Sequence, residues 1–250
     1  MIKYHGTPVG GSKMDSLKFL NGRHALISFA HPNQGAEVLE FCESFCVDNG
    51  AFTIWKTTGG DINIPEYVNF VEMMGKHPAF DFAIIPDKIM GSEQQNDDMI
   101  KQWEDTGMTD IYHCTPVFHL GENPDRFLEL ASRYHKVCFG STDAWARNGS
   151  KEWWKNMADF MDIVTDEDGV LPCKVHGLRM LDTKLFQYLP LHSGDSTNAG
   201  VNGHKAMKKP PFPAVHRWQG NERIAQRIEA FQSAPVWDRE ILIKDGILEK

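Results

Sequence analysis

Residues 115–140 read TPVFHLGENPDRFLELASRYHKVCFG, and this stretch has one apolar run at each end and an amphipathic segment between them. The pattern predicts a strand over 115–120, a helix over 125–134 that follows Pro124, and a second strand over 136–140. A strand, a helix and a strand in this order form a crossover unit, which makes the two strands parallel. The stretch therefore favours an α/β fold.

The same alternation extends over most of the 250 residues. The other predicted strands lie at 24–30, 44–48, 80–86, 174–180, 190–195 and 214–218. Eight strands at roughly 31 residues each fit a single-domain (β/α)8 barrel of the TIM type over 1–250. An open, doubly wound sheet is the alternative, but no glycine-rich dinucleotide-binding motif follows the first predicted strand. Within the barrel we expect a basic loop near 196–218 and a C-terminal helix near 221–232.

Composition restricts the class of protein. The formal net charge of −8 argues against a protein that coats nucleic acid without specificity, although a local basic groove remains compatible with it. No apolar run approaches the roughly 20 residues that cross a bilayer, so we expect no membrane partner. Five cysteines and an N-terminus without an apolar signal segment predict reduced thiols and a cytoplasmic location. The spacing typical of a cysteine-rich zinc site is absent, so we expect no metal.

Barrel enzymes place their active sites on the loops that follow the C-terminal ends of the strands. The residues at or near these predicted ends are Asp48, Asp87, His119, Gly140 with Ser141, His176 and Asp195. Three carboxylates in such positions indicate nucleophilic or acid–base chemistry. An aspartate after an apolar strand also serves as a turn former or a helix cap, so each of them alone is ambiguous.

Asp48 and Asp195 are the candidates for catalysis. Asp48 lies in VDNGAF, where Asn49 and Gly50 permit a tight turn that holds the carboxylate at the strand tip. Asp195 lies in HSGDSTNAG, where small neighbours leave the carboxylate open to a substrate. One carboxylate of such a pair can form a covalent glycosyl intermediate while the second handles a proton.

Other residues are candidates for binding, each with a structural alternative. Asp87 suits the two N–H donors of a guanine-like base, or caps the next helix. His119 and His176 contact substrate or are hydrogen-bonded residues inside strands, and Phe52 stacks on a base or packs in the core. The basic residues that fit a nucleic-acid backbone, or a solvated loop, are Lys205, Lys208, Lys209 and Arg217.

In combination, four motifs resemble the phage deazapurine DNA-modification proteins, which are relatives of the tRNA-guanine transglycosylases. These motifs are VDNGAF at 47–52, IPDKIMGS at 85–92, KVHGLRML at 174–181 and SGDSTNAGVN at 193–202. HGTPVGG at 5–11 and GRHALISFA at 22–30 are similar to the same family, so the resemblance covers about residues 4–203.

The resemblance implies a barrel enzyme that exchanges guanine in a polynucleotide for a 7-deazaguanine base. It implies that Asp195 is the nucleophile, Asp48 the general acid and base, and Asp87 the residue that holds the base. Gly140 with Ser141 falls where the tRNA enzymes have a base-contacting glycine loop, and His119 stands where they have a glutamine.

The zinc subdomain of the tRNA enzymes is missing from this chain, which favours DNA over tRNA as the substrate. We therefore expect a DNA-guanine transglycosylase with DNA and a preQ0-like base as substrates and no required cofactor, active in the host cytoplasm if a phage encodes it. The alternatives are an N-glycoside hydrolase that uses the same acids with water, and a non-catalytic nucleic-acid-binding barrel.

Overall fold

The computed structural model describes residues 1–10, 13–141, 147–208 and 216–249. Its strands are β1 Ile2–Gly6, β2 His24–Ser28, β3 Ser44–Asp48, β4 Phe80–Ile84, β5 Cys114–Thr115, β6 Val117–His119, β7 Lys136–Gly140, β8 Lys174–Gly177 and β9 Ser193–Ser196. The α-helices are α1 Lys13–Leu17, α2 Gly35–Leu39, α3 Ala51–Thr58, α4 Ile64–Gly75, α5 Glu93–Glu104, α6 Met108–Ile111, α7 Pro124–Arg133, α8 Lys151–Val164, α9 Thr183–Phe186, α10 Asn198–Ala206, α11 Arg217–Glu229 and α12 Arg239–Lys244.

All neighbouring strands pair in parallel, in the order β5-β4-β3-β2-β1-β9-β8-β7-β6. The two edge strands of this order, β5 and β6, follow each other in the chain with only Pro116 between them. Proline has no N–H for a strand ladder, which interrupts the pairing at this residue. The Pro116 carbonyl nevertheless accepts from the Cys138 amide at 2.8 Å. With β5 and β6 counted as one interrupted strand, the sheet closes into an eight-stranded barrel, and the predicted TIM-type fold is confirmed.

One of the eight strands of the barrel is not one that the sequence predicted. The predicted strand over 214–218 is wrong where the structure describes it, because Arg217 and Trp218 begin α11. Its residues 214 and 215 lie outside the described residues. The strand that completes the barrel is β1, which pairs with β2 on one side and β9 on the other. The N-terminal segment is therefore central to the barrel.

The predicted basic loop near 196–218 is largely a helix, α10, in its first half. The glycines that make this stretch look like a loop are packing residues. A Cβ on Gly203 would lie 1.6 Å from Asn221 Oδ1, so only glycine lets α10 lie this close to α11. The helix expected near 221–232 corresponds to α11, which begins earlier, at Arg217.

The inside of the barrel is filled by one layer of mostly apolar side chains below the C-terminal rim. These residues are Tyr4, Leu26, Cys46, Phe82, Ile84, Val117 and Cys138. A larger apolar cluster fills the space between the strands and the surrounding helices. The side chains inside the barrel lie beneath the C-terminal rim, where barrel enzymes place their active sites. All five cysteines are free thiols, and none of the helices within the described ranges is long and apolar enough to cross a membrane.

Candidate active site

A cavity of about 590 Å³ opens at the C-terminal ends of the strands. Seven of the residues predicted for the site line it, namely Asp48, Phe52, Asp87, His119, Gly140, Ser141 and Asp195. They come from stretches of sequence that are far apart and meet because the ends of parallel strands share one rim. The volume lies within the roughly 300–1,000 Å³ that is typical of small-molecule sites.

Asp48 ends β3 and lies half-buried at the cavity wall. Its Oδ2 accepts hydrogen bonds from Ser28 Oγ at 2.8 Å and from the Gly50 amide at 3.1 Å. Burial raises the pKa of this carboxyl to about 7, with the charges of Asp195 and Asp87 adding to the effect and the two hydrogen bonds opposing it. Near neutral pH, Asp48 can therefore both give and accept a proton.

Asp195 lies in β9, is only 6% exposed and reaches the same cavity. Its Oδ1 accepts from the Arg179 amide at 3.0 Å. His176 Nε2 lies 3.3 Å from the same oxygen. The hydrogen bond from Arg179 fixes the orientation of the carboxylate, and the His176 ring lies beside it.

The structure does not bring His176 to the cavity surface. His176 lies inside β8 rather than at its end, it is fully buried, and its side chain points into the barrel beneath the cavity. There its ring contacts Tyr4 and Phe82, and its Nδ1 lies 2.9 Å from Ser193 Oγ. Burial lowers the pKa of His176 despite the neighbouring carboxylate, so the ring is neutral. His176 supports Asp195 from below.

Asp87 and His119 form a buried ion pair at the cavity wall, with His119 Nε2 at 3.0 Å from Asp87 Oδ2. His119 Nδ1 lies 3.2 Å from Glu122 Oε1, and Arg126 donates to Glu122 Oε2 at 2.7 Å. Burial alone would lower the pKa of His119, but Asp87 and Glu122 outweigh it and raise it to about 9. The protonated ring therefore faces two carboxylates, one of which reaches the cavity.

Gly140, Ser141 and Phe52 have distinct places on the cavity surface. A Cβ on Gly140 would come within 3.0 Å of His119 Cδ2, so the glycine leaves room for that ring. Ser141 Oγ accepts from Trp153 Nε1 at 3.0 Å, which ties this edge of the cavity to α8. Phe52, in the first turn of α3, is 37% exposed and therefore belongs to the cavity mouth.

The cavity lining also includes residues that were not predicted, and two of them hold Asp87 and Asp195. Asn49 donates from Nδ2 to Asp87 Oδ1 at 2.8 Å and to the Ile85 carbonyl at 2.9 Å, which fixes the second oxygen of Asp87. Arg179 holds Asp195 through its backbone amide, and its guanidinium lies 4.9 Å from the centre of the Phe52 ring. Asn49 could have been predicted, because it lies beside Asp48 at a strand end. The contact of Arg179 could not, because any residue other than proline can donate from its backbone amide.

Of the predicted nucleic-acid-binding residues, Lys205, Lys208 and Arg217 do not line the cavity. Lys205 and Lys208 are exposed near the end of α10, and Lys209 lies outside the described residues. Arg217 donates from Nη2 to the carbonyls of Gly200 and Val201, at 3.2 and 3.1 Å, and so fastens the start of α11 to α10. Its role is at least partly structural.

The described part of the chain contains no group of three or more His, Cys, Asp or Glu side chains arranged to hold a metal ion. The acidic side chains at the cavity are instead engaged by protein donors. Asp48, Asp87 and Asp195 each accept at least one hydrogen bond from a neighbouring side chain or amide.

No family model and no curated protein sequence matches the chain. Among solved structures, it is similar to the crystal structure of the YdjI aldolase from Escherichia coli K12, with a TM-score of 0.52. The match covers 93% of this chain and 91% of the aldolase chain, at 10% sequence identity. At this identity the similarity concerns the fold, and it agrees with the TIM-type barrel derived from the strand order.

Proposed function

We propose that this protein is an enzyme, a base-exchanging glycosyltransferase that replaces guanine in DNA with a 7-deazaguanine base. The observation that carries the proposal is that Asp48 and Asp195, from β3 and β9, line one cavity of about 590 Å³, in which burial raises the pKa of the Asp48 carboxyl to about 7. A purine nucleotide fits a cavity of this size. The motifs that resemble the deazapurine DNA-modification family supply the substrate class.

In the first half of the reaction, Asp195 attacks C1′ of a deoxyguanosine. The Arg179 amide occupies Oδ1, which leaves Oδ2 as the attacking oxygen. The new C1′–O bond forms as the bond from C1′ to N9 of guanine breaks, and the departing base takes the proton of Asp48. The product is an aspartyl-deoxyribose ester that keeps the sugar reactive, so no external energy source is needed.

In the second half, the corresponding ring nitrogen of the 7-deazaguanine attacks C1′ and the ester bond breaks. Asp48 accepts the N–H proton that this nitrogen loses. Formation of the ester removes the negative charge of Asp195, which contributes to the raised pKa of Asp48. The pKa of Asp48 should therefore fall in the intermediate, which makes Asp48 a base when a base is required.

Asp87 is the residue that we assign to recognition of the base. The protonated His119 and the amide of Asn49 each hold one of its oxygens, so the carboxylate is fixed in orientation. An ionised carboxylate can accept from the N1–H and the 2-amino group of guanine, and equally from those of a 7-deazaguanine. Both substrates of an exchange reaction share this edge.

The test is an exchange assay with DNA and a 7-deazaguanine base, followed by digestion to nucleosides and mass spectrometry. We expect the deazaguanine nucleoside to appear together with free guanine in equal amounts. Asp195→Asn should lower the rate at least about 10⁴-fold, because the nucleophile is lost, while the isosteric amide still accepts from Arg179. The thermal midpoint of this variant provides the control for folding.

The alternatives give different products. An N-glycoside hydrolase would release guanine and leave abasic sites without incorporation of the new base. A non-catalytic binding protein would give neither product, with wild-type protein and Asp195→Asn indistinguishable. Undiminished exchange by Asp195→Asn would exclude the covalent mechanism.

A further inference from the structure

Two elements at the cavity mouth bring an arginine and an aromatic ring together. Phe52 lies in the first turn of α3, and Arg179 lies in the turn after β8. The Arg179 guanidinium is 4.9 Å from the centre of the Phe52 ring, and both residues line the cavity. Arg179 is exposed, and no described carboxylate forms a salt bridge with it. Its charge is therefore available to a ligand.

The backbone of Arg179 makes the identity of this side chain informative. Arg179 has φ 58°, and it is the one described non-glycine residue with positive φ. Glycine or asparagine takes this conformation at lower free energy than arginine does. The contact that the backbone makes, from the amide to Asp195 Oδ1 at 3.0 Å, would be equally available to glycine. The guanidinium, rather than the backbone contact, therefore accounts for an arginine at this strained position.

The next turn of α3 extends this surface away from the cavity. Trp55 is 37% exposed, and its ring centre lies 6.2 Å from that of Phe52. Lys56 Nζ lies 6.0 Å from the centre of the Phe52 ring. Exposed aromatic rings flanked by cations are the combination that proteins use to stack unpaired bases and to hold the phosphates between them.

We propose that Trp55, Lys56 and Arg179, arranged around Phe52, bind the single-stranded DNA next to the nucleotide in the cavity. Arg179 and Lys56 contact the flanking phosphates, and Trp55 stacks on the adjacent base. Local positive charge in a chain of net charge −8 and continuity with the cavity both favour a polynucleotide as the occupant. The identity of the nucleotide in the cavity rests on the proposed function.

The experiment measures binding of a fluorescently labelled single-stranded oligodeoxynucleotide of 12 nucleotides, by anisotropy, without any 7-deazaguanine. Arg179→Gly removes the guanidinium, keeps the amide at Asp195 and relieves the positive φ. We expect its Kd to rise about 5-fold or more, while its thermal midpoint stays equal or rises. Trp55→Ala should raise Kd about 5- to 100-fold through lost stacking.

The matched control is Arg227→Gln, which removes an exposed arginine of α11 that does not line the cavity. Its Kd should stay within about twofold of the wild-type value. The pair Lys205→Ala and Lys208→Ala tests the end of α10. The proposal is overturned if Arg179→Gly and Trp55→Ala bind like wild-type protein, or if wild-type protein does not bind the oligonucleotide. Loss of binding only in the Lys205 and Lys208 variants would also overturn it.

Binding and exchange can fail separately. If DNA binding depends on Arg179 and Trp55 but no exchange occurs, the binding surface stands and the proposed function fails. If exchange occurs and these variants leave the KM for DNA unchanged, the proposed function stands and the binding surface fails. When both hold, Arg179→Gly should raise the KM for DNA and leave the KM for the 7-deazaguanine unchanged.

Discussion

Asp48 and Asp195 are the same residue type at the same rim, yet their surroundings differ in what they do to a carboxylate. Asp195 accepts a hydrogen bond from the Arg179 amide, and the neutral ring of His176 lies beside the same oxygen. Asp48 is desolvated enough that its pKa rises to about 7, in spite of two hydrogen bonds. A fixed nucleophile and a group that exchanges protons near neutral pH are the two parts that a base exchange requires.

The raised pKa of Asp48 predicts opposite pH dependences for the two halves of the exchange. Transfer of the sugar to Asp195 needs protonated Asp48, so kcat/KM for DNA should fall as pH rises above about 7. Capture by the 7-deazaguanine needs ionised Asp48, so kcat/KM for the base should rise with pH, with a midpoint below about 7. Initial rates with each substrate varied in turn, from pH 5 to 9, measure both profiles.

Asp48→Asn should abolish both pH dependences. It should also lower the exchange activity by about 10²- to 10⁴-fold. Two profiles with the same direction would show that Asp48 does not alternate between acid and base. The same variant at pH 5 and pH 8 provides a control for folding, because its thermal midpoint should stay at or above that of the wild-type protein at pH 8.

His119 predicts a pH dependence of stability. Its pKa rises from about 6.5 in the unfolded chain to about 9 in the folded protein. The stabilisation is therefore complete below pH 6.5 and disappears as pH rises through 9. His119→Gln should lower the free energy of unfolding by about 1 to 3 kcal/mol at pH 6 and by much less at pH 10.

Urea denaturation of wild-type and variant protein at the two pH values measures this difference. His204→Gln is the control, because His204 is exposed on α10, away from the ion pair of Asp87 and Glu122. An equal loss at pH 6 and pH 10 in His119→Gln would mean that packing, rather than charge, accounts for the stabilisation.

At the residue scale, the sequence identified the side chains that reach the rim but not the contacts that orient them. Asp48 and Asp87 follow apolar runs, which is enough to place them at or just beyond strand ends, whereas Asp195 is preceded by the small residues Ser193 and Gly194. His176 does not reach the cavity because it lies within β8, one residue before its end, where its side chain points into the barrel against Tyr4 and Phe82. Arg179 was missed because its amide, which any residue supplies, makes the contact with Asp195.

At the scale of elements, α3 lies between two left-handed glycines with different surroundings. Gly50 and Gly59 have φ of 75° and 71°. A Cβ on Gly50 would lie 2.7 Å from the Ala30 amide nitrogen, whereas a Cβ on Gly59 would meet nothing within 4 Å. The start of α3 is therefore fixed against the chain that follows β2, while its end is not.

This difference predicts unequal effects of the same substitution. Gly59→Ala should cost about 1 kcal/mol, for the left-handed conformation alone. Gly50→Ala should cost about 2 to 4 kcal/mol, because the methyl group also overlaps backbone that cannot easily move. Since the Gly50 amide donates to Asp48, this variant should also lose exchange activity, and Gly59→Ala should not. Chemical denaturation measures the stability of the two variants, and the exchange assay measures their activity. Equal losses of stability would show that Ala30 moves to make room for the methyl group.

Two elements could not be predicted from the local sequence because tertiary contacts determine them. β1 is short and contains the buried polar residues Lys3 and His5, which weaken its apolar pattern. Glu229 of α11 lies 3.2 Å from His5, more than 200 residues away in the chain. α10 has the glycine content of a loop, but its glycines serve the close packing against α11. The βαβ unit at 115–140 has a clear local pattern of apolar and polar residues and was predicted closely.

At the scale of the whole molecule, the charge of the chain limits how it can bind DNA. A net charge of −8 repels a polyanion over a distance of about one Debye length, roughly 8 Å at physiological ionic strength. In the proposed complex with DNA, affinity then comes from stacking, from the cavity and from a few local cations. Barrel closure supports this arrangement, because it brings α3 and the β8–α9 turn, far apart in sequence, to one rim.

The whole-molecule charge predicts a weak dependence of DNA affinity on salt. Each phosphate contact to single-stranded DNA contributes about −0.7 to the slope of log K against log salt concentration. Contacts from Lys56 and Arg179 alone give a slope of about −1.4, and Arg179→Gly should reduce it to about −0.7. Titrations with the labelled oligonucleotide from about 50 to 300 mM salt measure the slope. A slope steeper than about −4 would require about six or more phosphate contacts, which exceeds what this rim supplies, and would place the principal DNA-binding surface elsewhere on the barrel.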